Sequence, residues 1–143
     1  MFNLNETFHA ISIKRKQYFN KMIEKYDLNL IEIEILAFLN KEPDSNTFTE
    51  IMKAKDYAKS HMSTAITHLV TRGYIEKRSL DTNKKVHKLY LLDKSFNVIK
   101  DYDLCISRFR GDAFTGISED GIKVFEQVIH KMNTNLTTQL GEK

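Results

Sequence analysis

The stretch KSHMSTAITHLVTRG, Lys59 to Gly73, has a helical apolar pattern and an unusual polar side. Met62, Ala65, Ile66, Leu69 and Val70 recur at i, i+3, i+4, i+7 and i+8, the spacing of one buried helix face. The opposite side carries Ser60, His61, Ser63, Thr64, Thr67, His68 and Thr71. A solvated face usually shows Glu, Lys and Gln, because Ser and Thr hydroxyls compete for the helix backbone. Between Asp56 and Glu76 there is no acidic residue. Hydroxyls and imidazoles donate hydrogen bonds to phosphates and base edges, Thr methyls pack on thymine methyls, and a missing carboxylate removes repulsion from a polyanion.

The charge distribution agrees with that chemistry. The net charge of +3 conceals a strong segregation along the chain. Residues 1–52 are net −2, residues 53–100 carry eleven basic against four acidic residues and are net +7, and residues 101–143 are net −2. A basic middle between mildly acidic ends is an electrostatic footprint for nucleic acid. Lys59 and Arg72 bracket the Ser/Thr-rich helix, and Lys84, Lys85 and His87 follow in the next polar stretch.

The elements that must position these residues are legible in outline. A first helix is expected over Asn5 to Tyr26, with the basic triplet Lys14 to Lys16 in its middle. A second starts at Asn29, where Glu32 three residues on completes a capping box, and it is very apolar through Asn40. The only proline, in NKEPDSN, marks a loop. TFTE, Thr47 to Glu50, is a second capping box that opens a short helix to about Lys53. Ser60 is expected to cap the helix of the opening stretch, and Gly73 to end it in a left-handed conformation. YIEKRSL and VHKLYLL then form a hairpin around the turn DTNKK, whose tip holds Lys84 and Lys85. Two further long helices follow Asp93, separated within GDAFTGISEDG, with Ser118 capping the last.

Length and composition set the class. At 143 residues, 41% hydrophobic and 29% charged, the chain suits one soluble domain with a real core. No apolar run approaches the ~20 residues that span a bilayer, the N-terminus lacks a signal-peptide pattern, and no membrane association is expected. The single cysteine, Cys105, excludes an internal disulfide and fits a reducing cytoplasm. Its apolar neighbours favour a core role over redox sensing. No metal-ligand cluster, phosphate-cradling glycine loop or nucleophile motif is present, so neither a metal site nor an enzyme is expected. Tyr18, Phe19, Phe38, Tyr102 and Phe109 are candidates for lining a small-molecule pocket, though their helical spacing favours plain core packing.

Two short helices, a longer helix and a hairpin in succession make a winged helix-turn-helix, in which the third of these helices enters the major groove and the hairpin reaches neighbouring phosphates. The expected fold is therefore mainly α with a small β-hairpin wing, plus N- and C-terminal dimerisation helices. Residues 28–95 form the DNA-binding region, and residues 1–27 and 96–143 the dimerisation helices. Apolar faces on the terminal helices exceed what one small winged domain can cover, and a two-fold dimer would bury them. It would also set two recognition helices about 34–36 Å apart on a pseudopalindromic operator in double-stranded DNA.

LNLIEIEILAFL, TFTEIM, KSHMSTAITHLVTRGYIEKRSLDTNKK and KLYLLDKS resemble, in order and spacing, the MarR family of bacterial transcription regulators. The resemblance runs from about Leu28 to Ser95 and is most specific from the recognition helix into the wing. It implies an obligate homodimer that represses nearby genes, often relieved by small amphipathic or phenolic effectors bound between the dimer and DNA-binding regions. It also places Ser60, His61, Ser63, Thr64 and Thr67 at the groove, and Lys84 and Lys85 in the wing. The family's wing carries an Asp-x-Arg whose arginine enters the minor groove; here the matching positions read Lys84-Lys85-Val86. Lys85, His87 or Lys88 would have to substitute, with a weaker preference for narrow minor grooves. The expected DNA-contacting set is thus Lys59, Ser60, His61, Ser63, Thr64, Thr67, His68, Lys84, Lys85 and His87. The competing expectation is a winged-helix module that binds a protein or effector and has only weak DNA affinity.

Overall fold

The computed structural model describes residues 1–80 and 83–141, with backbone alone for residues 80, 83 and 84. The elements run α1 (Leu4–Gln17), α2 (Asn20–Tyr26), α3 (Leu30–Lys41), α4 (Phe48–Ala54), α5 (Lys59–Thr71), β1 (Ile75–Leu80), β2 (Asn83–Leu91), α6 (Ser95–Ala113) and α7 (Glu119–Gln139). They form two compact units, Met1–Arg108 and Phe109–Lys143, a division that falls inside α6.

The core of the first unit gathers apolar side chains from α2, α3, α4, α5, the hairpin and the first turns of α6. Helix α3 is central, with Ile33, Ile35, Leu36 and Leu39 all buried. Burying one such side chain contributes about 1.5–3 kcal/mol relative to exposure. Helix α5 presses Met62, Ala65, Ile66 and Leu69 onto this layer, the face its spacing predicts.

Caps set most of the helix ends. Asn29 Oδ1 accepts the Glu32 amide at 2.8 Å, and Glu32 Oε1 accepts the Asn29 amide at 2.8 Å, so the expected capping box at α3 is complete. At α4 only half of the box forms. Thr47 Oγ1 accepts the Glu50 amide at 3.2 Å, but the Glu50 carboxylate takes the Thr47 hydroxyl instead of a backbone amide. Gly73 has φ +76°, and the amides of Gly73 and Tyr74 bond to the carbonyls of Val70 and Leu69. This is a Schellman ending, and it turns the chain directly into β1.

Three expectations are corrected. The single helix over Asn5 to Tyr26 is instead α1 and α2, broken at Tyr18 and Phe19. There the amides of both residues bond to carbonyls three residues back, which tightens the turn and drives Phe19 into the core. The Phe19 ring stacks on Tyr102 at 5.4 Å, and this tertiary contact outweighs the continuous helical pattern. Second, α5 begins two residues earlier than a Ser60 cap would give, at Lys59. Its N-cap is Ala58, without a side-chain hydrogen bond, and Ser60 is already inside the helix. Third, β2 starts at Asn83 rather than Val86, so the ladder runs further towards the tip than its β-rich composition indicated. The turn residues Asp81 and Thr82 lie outside the described residues.

The hairpin pairs Ile75 with Leu91, Lys77 with Leu89 and Ser79 with His87, with a register shift between Ser79 and Leu80. Such irregularities sharpen strand twist. The hairpin is anchored at its base by Asn46, a buried polar residue. Asn46 Nδ2 donates to the Leu89 carbonyl at 2.8 Å while the Leu89 amide donates to Asn46 O at 2.9 Å. Thr47, the N-cap of α4, makes an isolated antiparallel bridge to Lys88 beside it. On the outer face Arg78 lies 4.2 Å over the Tyr90 ring and pairs with Glu76 at 2.8 Å.

In the second unit, Phe114 meets Phe125 edge-on at 5.9 Å, and Arg110 pairs with Glu126 at 3.6 Å. Ser118 Oγ accepts the Gly121 amide, as its N-cap position predicts. Among the described residues, no helix is long and apolar enough to cross a membrane.

Candidate nucleic-acid interface

Helix α5 presents Lys59, Ser60, His61, Ser63, Thr64, Thr67, His68 and Thr71 on its exposed side. The uninterrupted hydroxyl-and-imidazole face exists because the five apolar residues between them are held down by α3 and the hairpin. With no side-chain cap at Ala58, the first amides of α5 are not taken up by a neighbouring side chain. Such amides favour anions, as does the positive end of the helix dipole.

The hairpin flanks this face. Lys77 of β1 and Lys85, Val86 and His87 of β2 share a cleft of about 270 Å³ with Thr49 at the start of α4 and with Ser63 and Thr67 of α5. Cation, hydroxyl and imidazole thus converge beside the helix. Lys85 is exposed at its rim; the Lys84 side chain lies outside the described residues. His87 is half-buried, with Nδ1 3.1 Å from the hydroxyl of Ser79 across the hairpin.

Lys77 and Thr49 escaped the sequence reading. The signal for Lys77 was its alternation with Ser79 along β1, which puts both on the face that turns towards α5. Thr49 gave no comparable signal, since its place in the cleft depends on how α4 docks. Arg72 goes the other way. It brackets α5 in sequence, yet its guanidinium bonds to the carbonyls of Tyr26 and Asp27, closing the left-handed end of α2.

The largest departure concerns His68. In the sequence no carboxylate stands near it. In the fold, its Nδ1 lies 2.5 Å from Oε2 of Glu32 on α3, a carboxylate only 2% exposed, while the His68 side chain itself is 49% exposed. His68 therefore faces two ways, inward to a buried acid and outward to the polar face.

Of the aromatic residues proposed for an effector pocket, Phe19 is core. Phe38 and Tyr102 line a groove of about 470 Å³ with Glu34 and Lys55, and Lys55 Nζ sits 5.8 Å over the Phe38 ring. Nearby, the Tyr57 Oη is buried beside Glu34 without a partner in hydrogen-bonding geometry among the described residues. Burial first, and the Glu34 charge second, push its ionisation far above that of an ordinary phenol. Cys105 is half-buried, and burial, with Asp101 nearby, raises its thiol above the usual range. That disfavours the reactive thiolate.

Short helix α4, exposed helix α5 and an adjoining basic hairpin define a winged helix-turn-helix protein. The profile of the MarR family matches residues 26–85, covering α3, the helix-turn-helix and most of the wing. Over that segment the chain is similar to the MarR family of transcription regulators. It is 23% identical over 121 residues to the HTH-type transcriptional regulator TcaR of Staphylococcus aureus (strain Newman), covering 83% of this chain and 79% of that protein. Among solved structures, it resembles a MarR protein from Peptoclostridium difficile DA00132, with a TM-score of 0.84 at 18% identity over 96% of this chain and 90% of that one. It also resembles the S. aureus MepR–DNA complex, with a TM-score of 0.82 at 17% identity over 94% and 99%. At such identities the structural likeness establishes the fold.

Proposed function

We propose that this protein is a homodimeric, sequence-specific regulator that binds double-stranded operator DNA through α5 and the hairpin, and represses nearby genes until a small effector releases it. The observation that carries this reading is the carboxylate-free, exposed side of α5 next to the Lys77–Lys85 cleft. The matching MepR structure was solved with DNA, which supports the same use of the fold here. Lys59, Ser60, His61, Ser63, Thr64 and Thr67 are assigned to the major groove. Lys77, Lys84, Lys85 and His87 are assigned to the flanking backbone.

Dimerisation is supported by apolar side chains left exposed in each unit: Phe8, Ile11 and Ile13 on α1, and Val124, Phe125, Val128 and Leu136 on α7. Not one residue of α7 is buried within the chain. A helix with this apolar content needs a partner surface, and a second copy supplies it with two-fold symmetry. For the effector, the groove holding Phe38, Tyr102, Glu34 and Lys55 offers aromatic walls with charged groups at the edge, suited to a small amphipathic or phenolic compound.

The deciding experiment is fluorescence anisotropy on duplexes flanking the gene, at 50 and 200 mM salt. A dimer gripping ~6–10 phosphates loses about three to five orders of magnitude in affinity over that range. A flat salt response would instead identify a protein- or effector-binding module.

A further inference from the structure

Glu32 is buried beneath the polar side of α5 and does not belong to that side. Both its carboxylate oxygens are committed: Oε1 accepts the Asn29 amide at 2.8 Å, and Oε2 meets His68 Nδ1 at 2.5 Å. A carboxylate can only accept, and with Glu32 in that form the hydrogen of this contact belongs to Nδ1. A buried carboxylate is costly unless a cation or several donors face it, and here one amide and one imidazole do so. The outer edge of the imidazole remains available. His68 lines the shallow groove with Asn29 and His61 where α3 meets α5, and also the open groove formed by Ser63, Thr67 and Thr71.

We propose that Glu32 is a positioning residue for DNA binding: it fixes His68 as the Nδ1–H form and aims Nε2 outward, where it donates to a backbone phosphate as the ring takes up a proton from solvent. The proposal rests on the DNA-binding reading above. Histidine is the side chain whose ordinary titration lies near neutrality, and which nitrogen holds the hydrogen is set by the partner of the other. With Glu32 behind it and a phosphate in front, the imidazolium has an anion at each nitrogen. The remaining ionisable neighbours are His61, which shares the groove, and Arg72 one turn along α5, whose guanidinium is occupied by the Tyr26 and Asp27 carbonyls. Neither stands between the pair. Sequence separation hides the arrangement, since Glu32 reads there only as the third residue of a capping box.

The test uses the full chain and duplexes that the wild-type protein recovers from a random-sequence pool. Long-range 1H–15N spectra report the His68 tautomer in the free protein and after addition of DNA. Anisotropy from pH 6 to pH 8 at constant salt reports affinity for the wild type, Glu32→Gln and His68→Gln, with circular dichroism as the folding control. The expected results are a protonated Nδ1 in the free protein, an Nε2 signal that moves to the imidazolium position on DNA, and wild-type binding about tenfold tighter at pH 6 than at pH 8. Both variants should reduce that ratio below about threefold. A bare Nδ1, or a pH profile of either folded variant that superimposes on the wild type, would overturn the proposal while leaving DNA binding intact. Should the pool yield no bound duplex at any pH while the spectra show the Glu32–His68 pair, the DNA-binding reading itself fails, and this role with it.

Discussion

The Tyr26 phenol donates to the Asp101 carboxylate at 2.6 Å, joining the last residue of α2 to the second turn of α6. Lys25 adds a contact to the same oxygen at 2.9 Å. The Tyr26 hydrogen bond first, and the Lys25 hydrogen bond second, hold the Asp101 carboxyl below its usual range. A depressed folded-state value means stabilisation that is present above the unfolded carboxyl pKa and lost as pH falls through the folded one. Asp101→Asn should therefore lower the thermal midpoint at pH 7 by roughly 2–5 °C. The gap to the wild type should close in acid below the normal aspartate range. Melting curves from pH 7 to pH 2.5 check this, and a gap that stays constant across the series would refute it.

Thr64 lies on the exposed side of α5, one turn before His68 and next to the groove residues Ser63 and Thr67. Thr64→Glu places a carboxylate against phosphates or base acceptors. Operator binding should fall by at least about a hundredfold, since like-charge juxtaposition at an interface costs several kcal/mol. Sizing and circular dichroism should show an unchanged dimer. Undiminished affinity in a folded dimer would mean that the wrong side of α5 has been assigned.

Lys85 stands at the rim of the cleft between the hairpin and α5. As a backbone contact it positions the protein without reading bases. Lys85→Ala should weaken binding to operator and unrelated duplexes by the same factor, and reduce the salt slope by about one. Selective loss on the operator alone would show that Lys85 reads sequence.

Asn46 is buried and couples the start of α4 to β2 through its side chain and its carbonyl. Asn46→Ala leaves the Leu89 carbonyl without its side-chain donor and should cost about 1–3 kcal/mol in urea unfolding. Because the anchor sits at the base of the hairpin, amide exchange should speed up in β2 more than in α3. Uniform acceleration across the molecule would show that Asn46 stabilises the whole core instead.

Much of this organisation is written locally. The period of Met62, Ala65, Ile66 and Leu69 determined which side of α5 is buried, and so which hydroxyls and imidazoles are left outside. Asn29 with Glu32 determined where α3 starts, and Gly73 where α5 stops, because caps and left-handed turns are decided by residues a few positions apart. The basic excess from Lys53 to Lys100 marked a segment suited to a polyanion before any fold was drawn. What the tertiary structure alone decided are relations between residues far apart in the chain. Phe19 breaks the first helix because its ring finds Tyr102. Arg72 is withdrawn from the polar surface because the carbonyls that end α2 lie within its reach. Glu32 becomes the partner of His68 only when α3 and α5 pack together. Short-range preferences set the elements and their faces; burial, acting across the packed interior, chose which polar groups had to find each other.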